Sequence, residues 1–308
     1  MIVSLAGGVG AARFLEGLIR LVPQDEITII GNIGDDTEIH GLHVSPDLDI
    51  VTYTLAGIVD PAKGWGFRGD TFQCQDLLRK YGYETWFNLG DKDLATHIYR
   101  TDELRRGRRL SEVTQDLVRR LGLRVTLLPA SDDPLRTYVL SRHSCMHFQE
   151  YMVKRQTKPK IHGVTFRGAK SARPARHVLE SIASATGIIV CPSNPIVSIG
   201  AILAVPGIRL ALRDTKAKVV GISPIVGGKT VKGPADKLMK ALRVKPSAVG
   251  VAEFYNDFLD TLIVDRVDKD LAAEIENLGI RAVATNTLMK TTGDKIRLAK
   301  LVLSELKR

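Results

Sequence analysis

Unbroken apolar runs and helix-period apolar faces alternate at the two ends of the chain. MIVSLA at the N-terminus has no polar alternation and predicts a buried strand. Ala11 to Leu21 then brings Phe14, Leu15, Leu18 and Leu21 to one face and predicts a helix, and EITIIGN predicts a second buried strand. The same alternation resumes later. TGIIVCP, AKVVGISP, TLIVD and RAVATN predict strands, and helices are expected near Ala201 to Arg213, Ala235 to Leu242, Ala248 to Phe258, Asp270 to Leu278 and Asp294 to Leu306. Val- and Ile-rich strands without polar alternation, separated by helices, imply an α/β fold: a Rossmann-like, doubly wound, mainly parallel sheet covered on both faces.

Between these halves the pattern changes. From Gly41 to Gly168 aromatic residues and DxD pairs appear, with helical periodicity at Thr71 to Tyr81, Leu94 to Arg106 and Ser111 to Leu121 and short strand-like stretches at RTYVL, MHFQEYMV and HGVTFRG. We read residues 41–168 as a helical and small-strand insertion into one α/β core made of 1–40 and 169–308.

Composition narrows the function classes. The apolar stretches Gly187 to Cys191 and Ile199 to Val205 fall far short of the ~18 residues a membrane span needs, and the N-terminus lacks a signal-peptide profile. A cytoplasmic protein is expected. Cys74, Cys145 and Cys191 are too scattered for a disulfide framework or a metal knuckle. The net charge of +10 favours acidic partners, either nucleic acid or phosphorylated small molecules. No nucleic-acid-binding module is recognisable, and RRGRR at Arg105 to Arg109 reads as a solvated helix end.

The candidate chemistry lies in loops that follow strands. Gly7, Gly8, Val9 and Gly10 sit where the first strand hands over to a helix, where free amides and the helix dipole suit an anion. The dinucleotide fingerprint fails, because Arg13 replaces its third small residue and the second strand closes on Asn32 where an acid is needed. Arg13 instead adds a cation to the phosphate site, and Asn32 joins the phosphate-binding candidates. GGKT at Gly227 to Thr230 lacks the first glycine of a Walker loop, Ser223 standing in its place. In CPSNPIVSIG the side chains of Ser193, Asn194 and Ser198, with Gly200 opening a helix, suit a nucleotide's phosphates or base. Acid clusters at Gly34 to Asp36, Ser45 to Asp49, Asp70, Gly90 to His97 and Ser131 to Pro134 suggest Mg²⁺ bound together with phosphates.

In order, GGVGAARFLEGL, NIGDDTEIHGLHVSPDLD, GWGFRGDTF, LGDKDLATHIYR, LLPASDDP, MHFQEYMV, PSNPIVSIGAIL, SPIVGG and VAEFYNDFLD closely resemble the 2-phospho-L-lactate transferase family of coenzyme F-420 biosynthesis. The resemblance implies a Mg²⁺-dependent transferase. It would move a phospholactyl or enolpyruvyl-phosphate group from a guanosine-diphosphate-linked donor to the ribityl hydroxyl of the deazaflavin Fo, releasing GMP. It further implies that the insertion forms the Fo pocket, that Asp49 and Lys92 contact Fo, and that the protein is a homodimer. Lys92 stands where the family often has arginine, and so lacks the planar fork. His97, Trp65 and Phe67 are candidates to stack on or hydrogen-bond the deazaflavin. Asp49 is the first choice for metal ligand or base, Asp47 the second catalytic candidate and Asp70 the second metal ligand. The alternative is a non-catalytic nucleotide-sugar-binding regulator of the related superfamily, and neither reading requires nucleic acid or membrane.

Overall fold

The computed structural model describes residues 1–308. In chain order its elements begin with β1 (Ile2–Ala6), α1 (Gly8–Leu18), β2 (Ile27–Gly31), the hairpin β3 (Thr37–Ile39) and β4 (Leu42–Val44), and α2 (Pro46–Leu55). Next come α3 (Gln73–Lys80), α4 (Asp91–Arg105), α5 (Leu110–Arg120), β5 (Thr126–Pro129), β6 (Arg136–Ser141), β7 (Cys145–His147), β8 (Ile161–Arg167) and α6 (Val178–Ala183). The remainder comprises β9 (Gly187–Val190), α7 (Gly200–Leu203), α8 (Ile208–Asp214), β10 (Val219–Ile222), β11 (Ile225–Val226), β12 (Lys229–Thr230), α9 (Ala235–Ala241), α10 (Ala248–Tyr255), β13 (Thr261–Asp265), α11 (Ala272–Glu276), β14 (Arg281–Thr285) and α12 (Thr292–Leu306).

Seven strands form one sheet in the order β14-β13-β10-β9-β1-β2-β5, and every pair in it is parallel. The order in which the chain adds strands therefore reverses between β1 and β9, running outward from β1 to β5 on one side and from β9 to β14 on the other, which opens a crevice beyond their carboxyl ends, the usual ligand site of such sheets. The strands β1, β2, β9, β10 and β13 are buried almost throughout, as their unbroken apolar sequences require. α1 packs between α2 and α12. Gly10 makes its start possible, because any side chain there would collide with the Pro192 carbonyl of the loop after β9. No single helix is long and apolar enough to cross a membrane.

Several elements differ from expectation. β5 lies inside 41–168 yet forms the edge strand beside β2, so that segment is only partly insertion. α1 begins at Gly8, so most of the glycine stretch is the helix's own first turn. SPDLD, Ser45 to Asp49, read as an acid cluster in a loop, is instead the start of α2, with Pro46 in its first turn, where a missing N–H costs nothing. MHFQEYMV is strand only to His147 and then turns into a π-helix over Glu150–Lys154. The helix expected near Ala201 to Arg213 is broken by Gly207, which adopts φ +92°.

Candidate functional site

A cleft of about 550 Å³ opens over the β1–β9 crevice. Its floor is the glycine turn and Pro192 to Asn194. One wall carries α2 and α4, and its rim includes Lys63, Trp65, Met152 and Lys232. Insertion and core thus face each other across it.

At the floor, the anion expected on the first turn of α1 is partly supplied by the protein. The Gly7 amide donates to Ser193 Oγ at 3.2 Å, and the Gly8 amide is directed at the carboxylate of Asp47. Asp47 is held further by Asn32 Nδ2 at 2.8 Å, and the same amide group reaches Asp35 Oδ1 at 3.2 Å. Gln149 Nε2 donates to the other Asp35 oxygen at 3.0 Å. Every donor here is neutral. Burial, followed by the neighbouring acids, raises Asp35 well above the carboxylate range, and burial with Asp36 nearby lifts Asp47 to about 7. Asp36 lies behind them, accepting from Ser45 Oγ and lying 3.0 Å from His43 Nε2. Asn194 is spent on local structure, its Oδ1 capping the turn through the Ile196 and Val197 amides.

The α4 wall is balanced differently. Asp93, His97 and Arg100 fall on one face of α4 at spacings of four and three. Arg100 is almost completely buried and clasps both oxygens of Asp49, with Nη1 on Oδ2 at 3.1 Å and Nη2 on Oδ1. The same Nη1 lies 3.3 Å from His97 Nδ1. A guanidinium can only donate, so Nδ1 is the unprotonated nitrogen and Nε2 carries the proton. Nε2 lies 3.3 Å from Asp93 Oδ1, off line for a hydrogen bond, and has no other partner. Tyr53 O–H donates to Asp93 at 2.8 Å, and burial followed by Asp49 and Asp93 raises its pKa, keeping it a donor.

Of the expected residues, Gly7, Gly8, Val9, Gly10, Asp47, Asp49, His97, Trp65, Ser193, Asn194 and Ser198 all line this cleft. Others do not. Asn32 is fully buried and acts by holding Asp35 and Asp47. Gly200 is buried behind Pro195 and cannot touch a ligand in the cleft. Lys92 turns its Nζ to the Arg68 and Gly69 carbonyls at 3.2 and 3.0 Å, closing the preceding loop onto α4. Phe67 packs on Tyr53. Asp70 serves the start of α4: its oxygens accept the Lys92 and Asp93 amides as well as that of its neighbour Thr71.

No group of three acids, histidines or cysteines is placed to hold a metal. The pair Asp35 and Asp47 is the set that fits Mg²⁺, which needs only one or two carboxylates when substrate oxygens complete its shell. Sequence reasoning held Asp35 and Asp93 only as members of acid clusters, without a role of their own, and did not select Arg100 or Tyr53. The 93/97/100 spacing and the Ser45-Pro46 helix start were the available signals.

A family model described as 2-phospho-L-lactate transferase CofD matches residues 2–302. A phosphoenolpyruvate transferase of Streptomyces griseus is 46% identical, covering 98% of this chain and 97% of its own. A 2-phospho-L-lactate transferase of Methanosarcina acetivorans is 40% identical over the same shares. Among solved structures, a UPF0052-family protein of Bacillus halodurans matches with a TM-score of 0.66 at 17% identity, covering 98% of both chains, and shares the fold.

Proposed function

Because this chain belongs to the 2-phospho-L-lactate transferase CofD family, we propose that it transfers a three-carbon phospho-acid group from a guanosine-diphosphate-linked donor to the terminal ribityl hydroxyl of Fo. The observation that carries this reading is the cleft. It sets a buried pair of carboxylates without a cation, Asp35 and Asp47, beside the first turn of α1, and faces them with an apolar and hydrogen-bonding wall of Tyr53, Trp65 and His97.

In this mechanism the donor's diphosphate lies over the Val9 and Gly10 amides and the Ser193 and Ser198 hydroxyls. Fo stacks along the α4 wall with Trp65 at its edge. Asp49, fixed by Arg100, accepts a hydrogen bond from the attacking hydroxyl and orients it; a carboxylate so engaged positions better than it takes a proton. The hydroxyl oxygen attacks the phosphorus that carries the acid, the bond to the GMP oxygen breaks with its electron pair, and the hydroxyl proton passes to solvent. A loose phosphoryl transition state asks mainly for positioning and charge stabilisation. Mg²⁺, held by Asp35 and Asp47, would supply neutralisation of charge on the phosphate oxygens. Asn32 and Gln149 keep both carboxylates aimed at that point.

The test is direct. Protein incubated with Fo, Mg²⁺ and either a lactyl- or an enolpyruvyl-diphosphoguanosine is expected to release GMP and yield a more acidic deazaflavin. Absence of product with every three-carbon donor, alongside tight nucleotide-sugar binding and no Fo affinity, would instead establish a non-catalytic regulator. A cytoplasmic location, expected from composition, and a homodimer, expected from the resemblance, belong to the same reading; sedimentation measures the second.

A further inference from the structure

Two cations without partners meet beside the cleft, Lys232 lining it and Arg13 just outside that lining. Arg13 lies on α1 one turn after Val9, and helical side chains lean toward the N-terminus, so its guanidinium reaches toward the cleft rim. Lys232 comes from the loop after β12 and lines the cleft. Both crowd Gly64: a methyl group there would sit 3.3 Å from Lys232 Nζ and 3.9 Å from Arg13 Nη2.

Neither cation is balanced. The acid on the Gly64 loop, Asp60, is occupied by Lys63 Nζ at 3.8 Å and by the Ala62 and Lys63 amides. Burial, with Arg13 adding to it, pushes the Lys232 pKa down, and no acid offsets the shift. Like charges held together in a half-buried place are unfavourable unless an anion joins them.

The surrounding chain is jointed. Gly57, Gly64, Gly66 and Gly69 in one loop, and Gly227, Gly228 and Gly233 in the other, all adopt positive φ, which leaves both segments light in side chains and rich in backbone hinges. The loops approach each other at Gly64 and Lys232, above Arg13.

We propose that Arg13 and Lys232 form a two-cation latch: an anion of the phosphate class bound between them ties the 227–234 loop to the start of α1, and the 57–69 loop, which packs on both cations at Gly64, is held down over the cleft with it. The latch rests on the transferase reading only where that anion is identified as the donor's diphosphate. The phosphate-type ligand itself follows from the paired cations and their place beside the helix start. Closure would also bring Trp65, next to Gly64, down on whatever occupies the cleft, and exclude water from it.

Inorganic pyrophosphate tests the latch without any transfer chemistry. In a Trp86→Phe background it is expected to change Trp65 emission and to slow tryptic cleavage after Lys63 and Arg68 several-fold. Arg13→Gln and Lys232→Gln are each expected to weaken pyrophosphate binding by about tenfold or more, as loss of a charge-assisted contact does. Lys232→Glu sets a carboxylate against Arg13, so it is expected to abolish pyrophosphate binding while protecting the loop with no anion present. Unchanged pyrophosphate affinity in both Gln variants, or a Lys232→Glu loop as cleavable as that of the unliganded wild type, overturns the latch. Transfer activity reports separately: a working latch in a protein that transfers nothing overturns the proposed function alone, and full transfer without any latch response overturns the latch alone.

Discussion

At the floor of the cleft Asp35 and Asp47 share the Asn32 amide and have no cation, whereas on the α4 wall Asp49 is clasped at both oxygens by the buried Arg100. Both sets are carboxylates in one cavity. One is left with charge to be balanced from outside, by a proton or a metal ion, and the other is balanced from within. A closed ion pair makes a rigid, directional wall suited to holding a substrate in register. An open pair is poised for a charge that arrives with the substrate. The same residue type therefore serves two purposes, and its partners decide which.

That comparison breaks most sharply at Arg100. Arg100→Ala strands Asp49 in a buried site and is expected to cost about 3–5 kcal/mol of stability, read by urea unfolding. A change at Asp47 should do the opposite to stability and more to function. Asp47→Asn is expected to lower kcat by roughly 10²-fold or more while leaving the apoprotein at pH 8 at least as stable as wild type. A markedly destabilised Asp47→Asn protein would show that the floor is internally balanced after all.

The floor also predicts a pH dependence whose sign is fixed. Asp47 titrates near 7 in the folded protein against an ordinary value of 3.8, so between these values the folded state binds the proton that the unfolded chain has lost. Its contribution to stability is complete below about pH 4 and is lost as pH rises through about 7. Melting of the metal-free protein, compared with Asp47→Asn, is expected to show the wild-type advantage shrinking across that window, with Mg²⁺ restoring part of it above pH 7. A difference that grows with pH would contradict the open-pair description.

Smaller effects sharpen the outline. Asp49→Asn keeps the shape of the wall but weakens its hold on Arg100 and the acceptor. It is expected to raise the KM for Fo and to lower kcat about tenfold, as loss of one charge-assisted hydrogen bond does. Lys92→Ala removes only contacts to the Arg68 and Gly69 carbonyls, and is expected to change transfer by less than about threefold, in keeping with a mainly exposed side chain. An effect at Lys92 as large as that at Asp49 would mean that the lysine swings into the cleft when Fo binds.

Much of the fold was legible because buried parallel strands carry unbroken apolar runs. β1, β2, β9, β10, β13 and β14 all fall within the stretches MIVSLA, EITIIGN, TGIIVCP, AKVVGISP, TLIVD and RAVATN. β5 was missed because TLLP is short and sits among insertion-like text; only its pairing with β2 shows that it belongs to the core. The glycine turn and the Ser193 loop, which line the cleft, were legible because their residue types and their positions after strands are local properties, whereas Asp49 and His97, which line it too, came with the family resemblance. Asp70 and Lys92 are placed at the start of α4 in a way the sequence did not show. An aspartate in a loop can ligate a metal or satisfy the free amides of a helix start, and nothing in RGDTF indicates that α4 begins against it.

Local pattern and chemistry by themselves determined the parallel α/β sheet, the loop that opens α1 and the supply of acids and small hydroxyls around it, because periodicity and residue type act over a few neighbours. The tertiary structure alone decided which acids stand open and which are paired. Arg100 is 51 residues from Asp49, and Gln149 is 114 from Asp35. Charge balance inside a cavity depends on such distant partners and on burial, and neither is a property of a short stretch of chain.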